Sequence, residues 1–297
     1  MTSRISHRLA LLAAGALMVA TPALAHRQWM LPSATILSGD DAWVTVDAAV
    51  SNDLFYFDHQ PMGTTGIRAT APDGSETKIE NAATGRYRST FDVHLLQKGT
   101  YRIENSSNGV MGSYKLGGEE KRLPRGTTSE NLKDAIPAGA TDVRTSEASN
   151  RNEIYVTVGA PTTTVFKPSG KGIELVPVTH PNDLVAGEAA TFQFLLDGKP
   201  AANLGVTVIP GGNRYRGVLG QMDLKTDAQG KVSVTWPSAG MYWVNASVGG
   251  GREGGPPGGP GGPGAGAGAA PPAARPMPTG PQPRRANYVT TLEVLAP

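Results

Sequence analysis

Apolar and polar residues alternate along much of the chain with the two-residue period of half-buried strands. Trp43-Val44-Thr45-Val46-Asp47-Ala48 and Arg88-Ser89-Thr90-Phe91-Asp92-Val93-His94-Leu95 carry the pattern most plainly. Shorter runs predict strands over 66–71, 100–104, 112–116 and 153–158. Ser38-Gly39-Asp40, Pro72-Asp73-Gly74-Ser75, Lys98-Gly99 and Asn108-Gly109 supply turn chemistry between them. Strands at roughly 8–12-residue spacing without a helical period predict an antiparallel β-sandwich over residues 26–160. The polar, patternless stretch 119–152 reads as a long loop with one short helix.

Residues 161–172, rich in Thr, Pro and Gly with little to bury, read as a linker. Beyond it, strands are predicted over 172–178, 190–196, 205–209, 222–226, 231–236, 240–248 and 288–295. Asp197-Gly198-Lys199-Pro200 and Asp227-Ala228-Gln229-Gly230 form two of the intervening turns. Seven strands over 173–297 match an immunoglobulin-like sandwich. The fold class is therefore all-β, with two antiparallel sandwich domains. Residues 249–285 hold 13 Gly and 10 Pro with a single bulky apolar residue, Met277. Such a segment cannot offset its ordering entropy by burial, so it reads as a disordered loop in a terminal hairpin.

Composition matters once the first 25 residues are set apart. Arg4 and Arg8, an apolar run from Leu9 to Ala20, a break at Thr21-Pro22 and the site Ala23-Leu24-Ala25 form a cleavable signal peptide. The run is shorter than the roughly 20 residues of a membrane span. The expected location is the periplasm. Cleavage after Ala25 removes two of 27 basic residues and no acidic ones, leaving 25 against 25 acidic. Electrostatic attraction to nucleic acid or an anionic membrane then has no support. The chain has no cysteine, which excludes disulfides, thiol nucleophiles and Cys-held metals.

Cleavage would also make His26 the first residue. A terminal histidine offers an α-amine and an imidazole that both lose protons near neutral pH, and the two can close a chelate ring on one metal. Such nitrogen donors suit Cu(II), Ni(II) and Zn(II). His59, in Phe55-Tyr56-Phe57-Asp58-His59-Gln60-Pro61-Met62, is the best second ligand, with Met62 as a soft axial donor. His180, before Pro181 at a strand end, is a further candidate. His94 alternates with Phe91, Val93 and Leu95 and reads as a solvated strand histidine.

Ala25-His26 with Trp29 and Leu31, the run Glu174-Leu175-Val176-Pro177-Val178-Thr179-His180-Pro181, Leu196-Asp197-Gly198-Lys199-Pro200 and Thr226-Asp227-Ala228-Gln229-Gly230 also carry a resemblance. The chain resembles an exported domain-of-unknown-function family described as the periplasmic component of cobalt/nickel uptake systems. The resemblance implies an immunoglobulin-like protein tied to transition-metal supply, with a membrane metal-uptake system as its partner. The Gly/Pro-rich segment departs from the family pattern.

No G-x-S-x-G elbow, H-E-x-x-H or P-loop is present, so no enzymatic activity is expected. The expected function is accessory: capture of nickel, cobalt or copper at His26, His59, His180 and Met62, with no other cofactor. One alternative is an adhesion or glycan-binding module, in which Trp29, Trp43, Phe55, Tyr56 and Phe57 could stack on sugars. A further one is a histidine-brace copper monooxygenase.

Overall fold

The computed structural model describes residues 26–249 and 283–297. The proposed signal peptide and most of the Gly/Pro-rich loop lie outside the described residues. Nearly all the regular secondary structure is strand, arranged as an immunoglobulin-like β-sandwich architecture.

A first sheet runs in the order Arg27–Pro32, Ala42–Ser51, Ser89–Leu95, Ile79–Thr84, with Gln60–Pro61 also paired to Ala42–Ser51. Its alternation is the one seen in the sequence: Val44, Val46, Phe91 and Val93 are buried, while Trp43, Thr45, Asp92 and His94 face outward. The buried row packs on Ile103, Tyr101, Ile154 and Val156 to make a first core. The second core lies between the sheet of Ile173–Pro177, Ala189–Leu196 and Lys231–Thr235 and the strands Gly205–Pro210, Gly240–Val248 and Arg285–Val294. Phe192, Phe194, Trp236, Tyr242 and Tyr288 fill it.

One ten-stranded sheet serves both cores. Its central strands are Gly240–Val248, Arg285–Val294, Thr141–Val158 and Gly99–Leu116. The join is parallel, residues 148–153 against 285–290, in a sheet that is otherwise almost wholly antiparallel. A third cluster of Trp29, Ala49, Leu54, Ile209, Trp243 and Val289 fills the junction where the two halves meet.

Three local expectations are corrected. Asn108-Gly109 does not turn; it lies within the continuous strand Gly99–Leu116. Gly109 is there for close approach: a Cβ would stand 3.0 Å from the Thr127 carbonyl, which accepts the Val110 N–H at 2.7 Å. The stretch 119–152 holds the expected short helix, Leu132–Ala135, but also Glu119–Arg122 and most of Thr141–Val158. Its outer half is a solvent-exposed ribbon, so no apolar alternation marks it. Residues 161–172 are no bare spacer, since Val165 and Phe166 pack on Tyr155. The Asp197-Gly198 turn behaves as expected, with φ of 52° and 74° as a type I′ hairpin requires.

Candidate metal site

The strand Ala42–Ser51 positions the site. Arg27 pairs with Ser51 on one side of it, and Gln60 pairs with Val50 on the other. His26 and His59 each immediately precede those partners, so both arrive at the same end of the central strand. Their imidazoles stack with centroids 3.7 Å apart and planes 14° from parallel.

The loop that carries His59 is held by its own polar groups. Asp58 Oδ1 accepts the Asn52 N–H at 2.9 Å, and Oδ2 accepts that of Asp53 at 3.4 Å. Ser51 Oγ accepts from Trp29 Nε1 at 2.7 Å and donates to the Asp53 carbonyl at 2.6 Å. Beneath it, Trp29 meets Phe55 edge-on at 5.5 Å and Phe57 at 5.6 Å. From the second half, Asn213 donates to the Asp53 carboxylate at 3.1 Å, and the Arg214 guanidinium lies 3.9 Å from the Tyr56 ring. The His59 loop is therefore pinned across the junction and is poorly free to drift from His26.

The electrostatics follow from the stack. Partial desolvation, and then the neighbouring His59, hold His26 below the ordinary imidazole range, while Asp58 opposes them. Two rings at 3.7 Å disfavour double protonation. Neutral imidazole is the form that ligates metal. Among the described residues no three His, Cys, Asp or Glu side chains converge on one point. The side chains therefore supply two nitrogen donors.

The other candidates stand elsewhere. Met62 belongs to the first core, where its sulfur accepts from Asn152 Nδ2 at 3.8 Å. His180 has both ring nitrogens engaged: Nε2 meets Thr100 Oγ1 at 3.0 Å and the Thr162 carbonyl at 3.3 Å, and Nδ1 accepts the Asn182 N–H at 3.1 Å. Burial lowers its pKa, against the Thr162 carbonyl. It ties the 161–172 segment to the sheet. His94 stacks on Trp43 at 4.1 Å and meets Asp41 at 2.7 Å on the outer face, as expected. Of the aromatics considered for sugar stacking, Trp29 is fully buried and Trp43 is 40% exposed.

Sequence reasoning missed a buried charge cluster at the junction. Arg151 reaches Glu104 at 2.5 Å, Glu174 at 3.5 Å and Glu153 at 3.6 Å, and Arg102 adds a contact to Glu104 at 3.4 Å. Glu153 Oε1 also accepts the hydroxyls of Tyr155 and, at 2.7 Å, Tyr288. Burial raises the Glu153 carboxyl despite Arg151 and Arg102, and burial beside Glu153 pushes both phenols well up. The available signal was a charge inside an apolar strand, Glu174 between Ile173 and Leu175.

A family model, a domain of unknown function designated DUF4198, matches residues 23–250, a span that includes both His26 and His59. The chain belongs to the DUF4198 family. No curated protein matches it. Solved structures similar to this DUF4198 chain include trypsin-activated α2-macroglobulin from Escherichia coli (13% identity, 76% of this chain, 14% of that chain, TM-score 0.22). The D0-D1 domain of intimin is also similar (14% identity, 73% and 88% of the two chains, TM-score 0.19), as is the human OSCAR ligand-binding domain (12% identity, 75% and 91%, TM-score 0.17). The chain thus spans about a seventh of the α2-macroglobulin it matches. Among the described residues of this DUF4198 protein, no helix is long and apolar enough to cross a membrane.

Proposed function

We propose that this DUF4198 protein captures a divalent transition metal, nickel, cobalt or copper, in the periplasm and passes it to a membrane uptake system. The single observation that carries the reading is the stacked pair of His26 and His59, brought together across 33 residues of sequence. The metal is cargo, held by the two imidazoles after one ring turns out of the stack. Signal-peptide cleavage after Ala25 adds the α-amine of His26 as a third nitrogen. Such a donor set suits Ni(II) and Cu(II) by ligand type and by the Irving–Williams order. Asp58, whose charge acts on His26, favours a cation there.

The test is calorimetric titration of the processed chain, with His26 at its start, by Ni(II), Co(II) and Cu(II). One ion per chain is expected, with His26→Ala and a form carrying one extra residue before His26 each losing at least tenfold in affinity. Binding that is absent, or unchanged in both forms, contradicts the reading.

A further inference from the structure

The two halves of the long sheet are covered differently. Strand Arg27–Pro32 lies over Thr141–Val158 and Arg285–Val294, and among the described residues its coverage stops at Arg27. Beyond it, the outer face of Gly205–Pro210, Gly240–Val248 and Met222–Lys225 forms a groove of about 510 Å³, within the range of small-ligand sites. Val206, Val208, Val244 and Ala246 point the other way, into the second core. Buried Trp243 and Ile209 form the floor, and Arg27 stands at the rim with its guanidinium 5.8 Å from the Trp243 ring.

Two of the polar groups in the groove, Asn245 and Asp223, are fixed in place by hydrogen bonds. Asn245 spends its Nδ2 protons on Asn287 Oδ1 at 2.7 Å and the Tyr288 carbonyl at 3.0 Å, which leaves its Oδ1 as an acceptor. An amide ladder continues that orientation: Asn287 donates to Asn150 Oδ1 at 3.0 Å, as does Gln28 at 2.7 Å. Opposite, Asp223 accepts from Thr207 Oγ1 and from Gln221 Nε2, both at 2.9 Å. Ser247 lines the same groove, and Lys225 makes no ion pair among the described residues.

Pre-oriented acceptors alternate here with donors and a nearly balanced charge. A simple anion would meet Asp223 and the Asn245 carbonyl; a cation would meet Lys225; an apolar ligand would leave the Asn245 carbonyl oxygen and the Lys225 ammonium unpaired. A polyhydroxylated ligand, each hydroxyl both donating and accepting, satisfies the set. We infer that this groove is a saccharide-binding site, separate from the His26–His59 pair and independent of its occupancy.

Affinity electrophoresis of the processed protein tests this in gels containing a soluble β-glucan, a galactan or a polyuronate, with calorimetry on the matching oligosaccharides. Retardation by at least one is expected. Asn245→Ala and the exposed-site double variant Lys225→Ala/Ser247→Ala should each weaken it at least tenfold with melting temperature reported alongside. His26→Ala and His59→Ala should bind sugar as the parent does, even with metal binding lost. No retardation by any of the three polymers overturns the inference. So does retardation that survives the well-folded Lys225→Ala/Ser247→Ala variant, or that is lost in His59→Ala.

Discussion

Replacing Arg151 with Met keeps the aliphatic stem and removes the cation that three carboxylates share. Arg151 is 10% exposed, against 13%, 3% and 5% for Glu104, Glu153 and Glu174, so water can do little to screen what remains. Removing one partner of a buried ion pair costs about 3–5 kcal/mol, because the other charge is left uncompensated. The upper part of that range applies here at pH 7.5, since more than one acid is stranded and Arg102 makes an ion pair with Glu104 alone of the three. The cost has a pH signature. Without Arg151 the Glu153 carboxyl is pushed further up, so the folded variant takes up that proton more readily as pH falls and the deficit at pH 5 shrinks toward about 1–2 kcal/mol of lost hydrogen bonds. Urea denaturation followed by the fluorescence of buried Trp29, Trp236 and Trp243 reads both numbers, with an unchanged m-value showing that two-state comparison holds. A loss below about 1 kcal/mol at pH 7.5, or one undiminished at pH 5, would refute the assignment of this cluster as a charge-coupled clamp.

Other outcomes follow from the same geometry. Glu153 titrates higher folded than unfolded, so its contribution is full below the unfolded pKa and is lost as pH rises through the folded value. Glu153→Gln should therefore gain stability relative to the parent between pH 5 and pH 8; a parallel pair of stability–pH curves would contradict this. In His59→Ala, NMR titration should find the His26 pKa higher than in the parent, because a depressing charge has gone while the desolvation largely stays. Gly112→Ala should cost about 1–3 kcal/mol by overpacking, since its Cβ would lie 2.0 Å from the Arg144 carbonyl oxygen. Thermal melts would show that as a drop of several degrees.

Strands that face a core on one side only were legible in the sequence, because burial on one side writes a period of two. Ala42–Ser51, Ser89–Leu95 and Lys231–Thr235 are of this kind. The outer part of Thr141–Val158 was not, because its residues 141–145 are mostly exposed, and Gly99–Leu116 was read as two strands, 100–104 and 112–116, where one continuous strand runs. Gly109 looked like a turn residue, whereas Gly109 and Gly112 are both sites where other backbone crosses closely. The parallel junction of residues 148–153 with 285–290 has no local signature at all, as its partners are 137 residues apart. The candidate site was half visible. His26 and His59 could be named for their chemistry, but their meeting depends on two strands flanking the same end of Ala42–Ser51. Met62 and His180 were named by the same chemistry, and packing sent one into the core and the other into a hydrogen-bonded brace.

The central claim is that His26 and His59 hold one ion between them. A double-mutant cycle in Ni(II) affinity, using the processed chain, His26→Ala, His59→Ala and the double variant, tests it most directly. Joint ligation predicts that each single variant loses at least tenfold and that the double variant loses far less than the product of the two. Full retention of affinity in His59→Ala, or losses that simply multiply, would contradict it.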